Sequence, residues 1–154
     1  MRLLGVDIGG VIIEPADGDE DTSFFGRNYL HTPPVAGAFG ALASLGGAFD
    51  AVHLVSKCSE DTSRRTLEWL AYHDFAARTG IGPDRVHFCR TRPEKAPIAA
   101  DLGLTHFVDD NPDVLGYLTT VAHRYLFRTV AADTPAGVVP VAGWPELETL
   151  LLPT

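Results

Sequence analysis

Apolar runs that stop abruptly at polar or charged residues recur along the chain. The first, Leu3-Leu4-Gly5-Val6 after Arg2, runs into Asp7, passes Gly9 and Gly10, and resumes as Val11-Ile12-Ile13. This predicts a buried strand whose tip presents one carboxylate amid open backbone. Ala51 to Val55 is a second β-prone run with Ser56 and Lys57 at its tip, and Arg85 to Arg90 a third. Thr105 to Val108 runs into Asp109-Asp110, and Arg124 to Arg128 forms a fifth strand.

Helical spacing fills the intervals between these strands. Pro33-Pro34 suits a helix start, with Phe39, Leu42 and Leu45 on one face and Gly46-Gly47 as the stop. Ser59, Glu60 and Asp61 cap and charge the start of a helix that runs through Leu67 and Leu70 to about Thr79, stopped by Gly80. Gly82-Pro83-Asp84 turns the chain, and Thr91 to Lys95 leads into a helix near Ala96 to Leu102. Asn111-Pro112-Asp113 opens a helix through Val114, Leu115 and Leu118. A Gly/Pro/Val-rich connection then leads to a last helix from about Pro145 to Leu152. Alternating strands and helices predict an α/β fold: a three-layer, doubly wound, Rossmann-like parallel sheet of about five strands, with ligands bound beyond their carboxyl ends.

Residues 14–34 break the alternation. This stretch is rich in Asp, Gly, Thr and Pro and carries Phe24-Phe25 and Tyr29-Leu30. It reads as a flap whose aromatics either close over a site or pin the loop to the core.

At 154 residues the chain is predicted to form a single domain, 1–154, with 45% hydrophobic and 21% charged residues typical of a soluble globular protein. The apolar opening is interrupted at Asp7 and lacks a small-residue cleavage site, against a signal peptide, and no run is long enough to span a bilayer. A net charge of −8 opposes non-specific binding to nucleic acid. Cys58 and Cys89 share no metal-ligand spacing and are expected to be reduced, which places the chain in the cytoplasm with no chemical role for either thiol. Of the histidines, His53, His87 and His106 fall within predicted strands; with His31, His73 and His123 they show no zinc-ligand spacing.

The chemistry is therefore sought at the strand tips. Asp7 beside an apolar strand either caps a turn or needs a metal, a ligand or a chemical role to compensate it. Lys95 at a helix start opposes the helix dipole and is either functional or an ordinary solvated lysine. Asp109, Asp110 and Asp113 crowd three acidic groups into one short segment. In a parallel sheet Asp7, Ser56-Lys57 and Asp109-Asp110 fall on one edge, where clustered carboxylates suit Mg²⁺ and the hydroxyl, lysines and backbone N–H groups suit an anion.

In this order Asp7-Ile8-Gly9-Gly10-Val11, Ser56, Lys95 and Asp109-Asp110 with Asp113 resemble the haloacid dehalogenase superfamily of phosphohydrolases over nearly the whole chain. The resemblance implies a nucleophile at Asp7 that forms an aspartyl-phosphate, with Ser56 and Lys95 holding the transferred group. It implies Mg²⁺ on Asp7, the Gly9 carbonyl, and Asp109 or Asp110. Gly9, Gly10 and Lys57 complete the expected phosphate-binding set. The family's phosphatases usually carry a second Asp, as general acid/base, where this chain has Gly9. Segment 14–34 is shorter than the usual cap domains, so an open site is expected, suited to a large substrate or completed by another subunit in a homo-oligomer. The expected function is Mg²⁺-dependent phosphomonoester hydrolysis of a small metabolite, with a nucleoside monophosphate as one candidate. The alternative is a catalytically weak relative that binds a phosphorylated ligand or a protein partner. Glu14 and Asp17 are the other carboxylates near enough in sequence to replace the missing acid.

Overall fold

The computed structural model describes residues 1–15, 27–129 and 134–153. Six strands form one parallel sheet: β1 (Leu3–Val6), β2 (Ala51–Lys57), β3 (Val86–Cys89), β4 (His106–Asp109), β5 (His123–Phe127) and β6 (Val138–Val141). Their order is β3-β2-β1-β4-β5-β6. The chain winds outward from β1 in one direction and then, from β4, in the other. The crevice between β1 and β4 is thus the switch point at which doubly wound sheets bind ligands.

Two apolar clusters cover the two faces. Leu4 and Val6 pack with α1 (Ala38–Ala48), α2 (Glu60–Tyr72), α3 (Phe75–Thr79) and α6 (Trp144–Leu151) through Leu42, Trp69, Phe75 and Trp144. On the other face Phe107 and Leu126 pack with α4 (Lys95–Leu102) and α5 (Pro112–Tyr117) through Ala99, Val114 and Leu115. Burial on both faces explains the near-continuous hydrophobic runs of the central strands.

The structure corrects several element boundaries. Gly46 and Gly47 do not stop α1, which starts after Gly37 rather than at Pro33-Pro34 and continues to Ala48. α3 packs against α1 at Gly46, where a Cβ would stand in ordinary contact, 3.5 Å, with the Thr79 carbonyl. The expected helix through to Thr79 is broken between α2 and α3, where Asp74 turns left-handed at φ 53°. β6 is an additional strand: Pro140 has no N–H to donate, and the outermost position of the sheet accommodates it.

Of the expected flap, Phe24-Phe25 lie outside the described residues. Its described parts are anchored. Glu14 N–H donates to the Pro33 carbonyl at 3.0 Å, Ile13 bridges Pro34, and the Trp69 indole N–H donates to the Thr32 carbonyl at 2.9 Å. No helix among the described residues is long and apolar enough to cross a membrane.

The turn after β1 sets the shape of the switch point. Gly10 adopts φ +81° and a Cβ there would sit 2.2 Å from Asp110 Oδ2, whereas a Cβ on Gly9 would meet nothing within 4 Å. Gly10→Ala is therefore expected to cost on the order of 1–3 kcal/mol through backbone strain alone. Gly9→Asp, exposed and with open space for its Cβ, should cost less than Gly10→Ala even though it adds a carboxylate beside Asp7 and Asp110. Urea unfolding of the two variants checks this contrast, and equal losses would contradict it.

Candidate active site at the switch point

Asp7 follows β1 directly and continues its ladder, its N–H donating to the Val108 carbonyl at 2.9 Å. That bond fixes the carboxylate beside the end of β4. Asp109 closes β4 and Asp110 follows it, and each of these three residues brings one carboxylate oxygen to within 4.8 Å of the other two. Asp7 and Asp109 are buried, Asp110 exposed.

Lys95 stands between them. Its ammonium donates to Asp7 Oδ1 at 3.1 Å and to Asp109 Oδ2 at 2.8 Å while only 2% exposed. Its position at a helix start comes from a local device: the Thr91 N–H and hydroxyl both donate to Glu94 Oε1, at 2.9 and 2.8 Å, forming a capping box that begins the turn into α4. The lysine is then thrown back across the sheet edge, and the reading of Lys95 as an ordinary solvated residue is set aside.

The electrostatics follow from three carboxylates sharing one ammonium. Burial pushes Asp7 up to about 6, with Lys95 opposing and Asp110 adding to the rise. Burial likewise pushes Asp109 up to about 7, with the charge of Asp7 adding and Lys95 opposing. Asp110 is raised by burial and by Asp109. Burial depresses Lys95, but Asp7 and Asp109 together overcome it and hold the lysine above its usual range. Proteins rarely bury such an excess of negative charge without a partner, and an all-oxygen donor set fits a hard divalent cation.

A cavity of about 720 Å³ opens from this cluster, lined by Asp7, Gly9, Gly10, Ser56, Lys57 and Asp110, among others. Asp109 lies behind it: Oδ2 receives Lys95 and Oδ1 receives the Asn111 N–H at 2.9 Å. Asp113 belongs elsewhere. It is exposed in the first turn of α5, where a carboxylate favours the helix dipole, and its N–H is capped by the Asn111 side chain at 2.9 Å. Glu14 reaches the cavity wall, whereas Asp17 lies outside the described residues.

Sequence reasoning missed the far wall, built by Cys58, Ser59, Thr62 and Thr66. Ser59 is the N-cap of α2 as expected, accepting from the Thr62 N–H at 3.2 Å. The i, i+4 spacing of Thr62 and Thr66 was the available signal that both hydroxyls share one helix face. The histidines form no metal cluster among the described residues; His53 Nδ1 pairs with His87 Nε2 at 3.0 Å, and His106 stacks on His123.

No family model and no curated protein sequence matches the chain. Among solved structures it is similar to a haloacid dehalogenase-like family hydrolase from Xanthomonas campestris, at a TM-score of 0.64 and 16% sequence identity, over 98% of this chain and 96% of that one. The fold of this chain, sheet and flanking helices together, is thus haloacid dehalogenase-like.

Proposed function

We propose that this protein is a Mg²⁺-dependent phosphomonoester hydrolase that works through an aspartyl-phosphate at Asp7. The observation that carries this reading is the Lys95 ammonium held between Asp7 and Asp109 at the mouth of the switch-point crevice. Phosphoryl transfer demands positioning and charge neutralisation more than covalent chemistry from the protein, and this cluster is built for both. The structural neighbour, named as a hydrolase, supports the reading.

Each residue then has a role. Asp7 opens onto the cavity and presents a carboxylate oxygen to phosphorus. Lys95 keeps that oxygen oriented and offsets its charge. Ser56, on the cavity wall beside it, and Lys57, exposed at the tip of β2, receive the phosphoryl oxygens with the backbone of Gly9 and Gly10. Asp7, the Gly9 carbonyl and Asp110 would hold Mg²⁺. Asp109 has both oxygens engaged by Lys95 and Asn111 and serves to position the lysine. Bound there, the metal supplies charge neutralisation of the phosphoryl oxygens. The cavity admits a small phosphorylated metabolite or a nucleoside monophosphate.

One observation favours the second reading, a weak catalyst that binds a phosphorylated ligand or a protein partner. Gly9 offers no acid/base group, and such groups contribute about 10²- to 10⁴-fold to rates. Turnover decides between them. With a panel of phosphomonoesters, the parent should hydrolyse at least one with Mg²⁺ and none with chelator, and Asp7→Asn should lose all of that activity. An Asp7→Asn protein retaining more than roughly a hundredth of the rate, more than even loss of a general acid/base alone would leave, would refute the covalent route.

The acidic cluster also makes stability depend on pH. Asp7 and Asp109 hold their protons to about 6 and about 7, against an ordinary 3.8 for the unfolded chain. The folded state therefore holds extra protons on this pair between 3.8 and about 7, and the pair's contribution to metal-free stability falls as pH rises through that window, while His106, pushed down to about 4 by burial, contributes in the opposite sense. Mg²⁺ binds the ionised carboxylates, so its stabilising effect should grow over the same window. Melting temperatures from pH 4.5 to 8, with Mg²⁺ and with chelator, of the parent and of an Asp7→Asn/Asp109→Asn variant that cannot ionise at these positions read both trends; a metal-free parent that loses nothing relative to that variant toward pH 8 would contradict them.

A further inference from the structure

The open space beside Gly9 does not leave the cavity without a carboxylate beyond Asp7 and Asp110. The chain doubles back: Gly10 N–H donates to the Ile13 carbonyl at 2.8 Å, Ile13 N–H donates to the Ile8 carbonyl at 3.1 Å, and Gly9 forms a bridge with Ile13. The next residue, Glu14, is thereby returned to the wall of the cavity that Asp7 and Gly9 also line. Its backbone is fixed by the bond to Pro33. Its side chain is held too, since Oε1 accepts from Arg128 Nη2 at 2.5 Å.

Arg128 is unusual in its own right. It follows β5 at the same sheet edge and adopts φ 59°, a left-handed conformation that L side chains seldom take. Strain of this kind persists where surrounding structure overrides it, and it clusters at functional sites. Here the guanidinium is turned toward Glu14 across the cavity rim.

We propose that Glu14 is the general base for hydrolysis of the phosphoenzyme, with Arg128 as its positioning residue. This rests on the phosphatase reading above. In the first half-reaction an Asp7 oxygen bonds to phosphorus and the bond from phosphorus to the leaving oxygen breaks; the leaving group departs as an anion and takes a proton from solvent. In the second, the Glu14 carboxylate takes a proton from water as that water's oxygen bonds to phosphorus. The bond to Asp7 breaks, inorganic phosphate leaves, and Glu14 returns its proton to solvent. The arginine holds the Glu14 carboxylate in place at the cavity wall. The substrates that fit this division are phosphate esters of good leaving groups, such as aryl or enol phosphates, because nothing on the wall is assigned to protonate an alkoxide.

Rapid-quench kinetics of the whole chain with Mg²⁺ and p-nitrophenyl phosphate test it. The parent should release a burst of nitrophenol and then turn over steadily. Glu14→Gln should keep the burst, lose about 10²-fold or more in the steady phase, and accumulate phosphate on the peptide that contains Asp7. Arg128→Met, which leaves the carboxylate in place, should keep the burst with a smaller loss in the steady phase. A Glu14→Gln protein with the parent's steady rate, or one that loses burst and steady phase together while still folded by its melting curve, overturns the assignment and leaves the Asp7 phosphoenzyme standing. A parent that forms no phosphoenzyme removes the phosphatase reading and this inference with it.

Discussion

The ammonium of Lys95, shut between the carboxylates of Asp7 and Asp109, is the contact on which the working edge of this fold depends. It joins the end of β1 to the start of α4, 88 residues further along the chain, and to β4 beyond it. A buried lysine is tolerated only with well-placed partners, and removing one partner of such a set typically costs about 3–5 kcal/mol. The Phe107 ring, 5.8 Å from Nζ, closes the site from below. The strand order serves the same contact, because β1 and β4 must lie side by side for both carboxylates to reach one cation.

Around that contact the charges are deliberately unequal. Two of the three carboxylates meet Lys95, while Asp110 faces the cavity against the Gly10 backbone. Asp109, satisfied on both oxygens, behaves as a brace for the lysine. Asp110 is the carboxylate left for a ligand. The far wall, with Ser59, Thr62 and Thr66 on the first turns of α2, adds hydroxyls that can meet a polar substrate. The described parts of the insertion between β1 and α1 are tied down at Glu14 and Thr32, and Glu14 and Pro15 stand on the wall of the cavity that Asp7 also lines.

The central strands and the acidic tips were legible because their signals are local. An apolar run ending in Asp7 or Asp109 carries its own meaning in a parallel sheet, and the helix start at Lys95 is marked by Thr91 and Glu94 only four residues or fewer upstream. What escaped depends on distant partners. Gly46 reads as a stop until α3 is seen packed on it. Pro140 hides β6 because its tolerance depends on being at the sheet edge. Asp109, Asp110 and Asp113 look alike in sequence, yet one braces, one faces the cavity and one lies exposed in the first turn of a helix. The Glu14 and Arg128 pair spans almost the entire chain and leaves no periodic trace.

The central claim is that Asp7 is the carboxylate that accepts the phosphoryl group and that Lys95 and Asp109 form its fixed support. A crystal structure grown with Mg²⁺ and beryllofluoride tests it most directly, since the fluoride complex mimics a phosphoryl group on the residue that accepts it. The account predicts beryllium bonded to an Asp7 oxygen, magnesium contacting Asp7, the Gly9 carbonyl and Asp110, and Lys95 still bridging Asp7 and Asp109. Beryllofluoride bound away from an unmodified Asp7, or magnesium on Asp109 with Lys95 displaced, would contradict it.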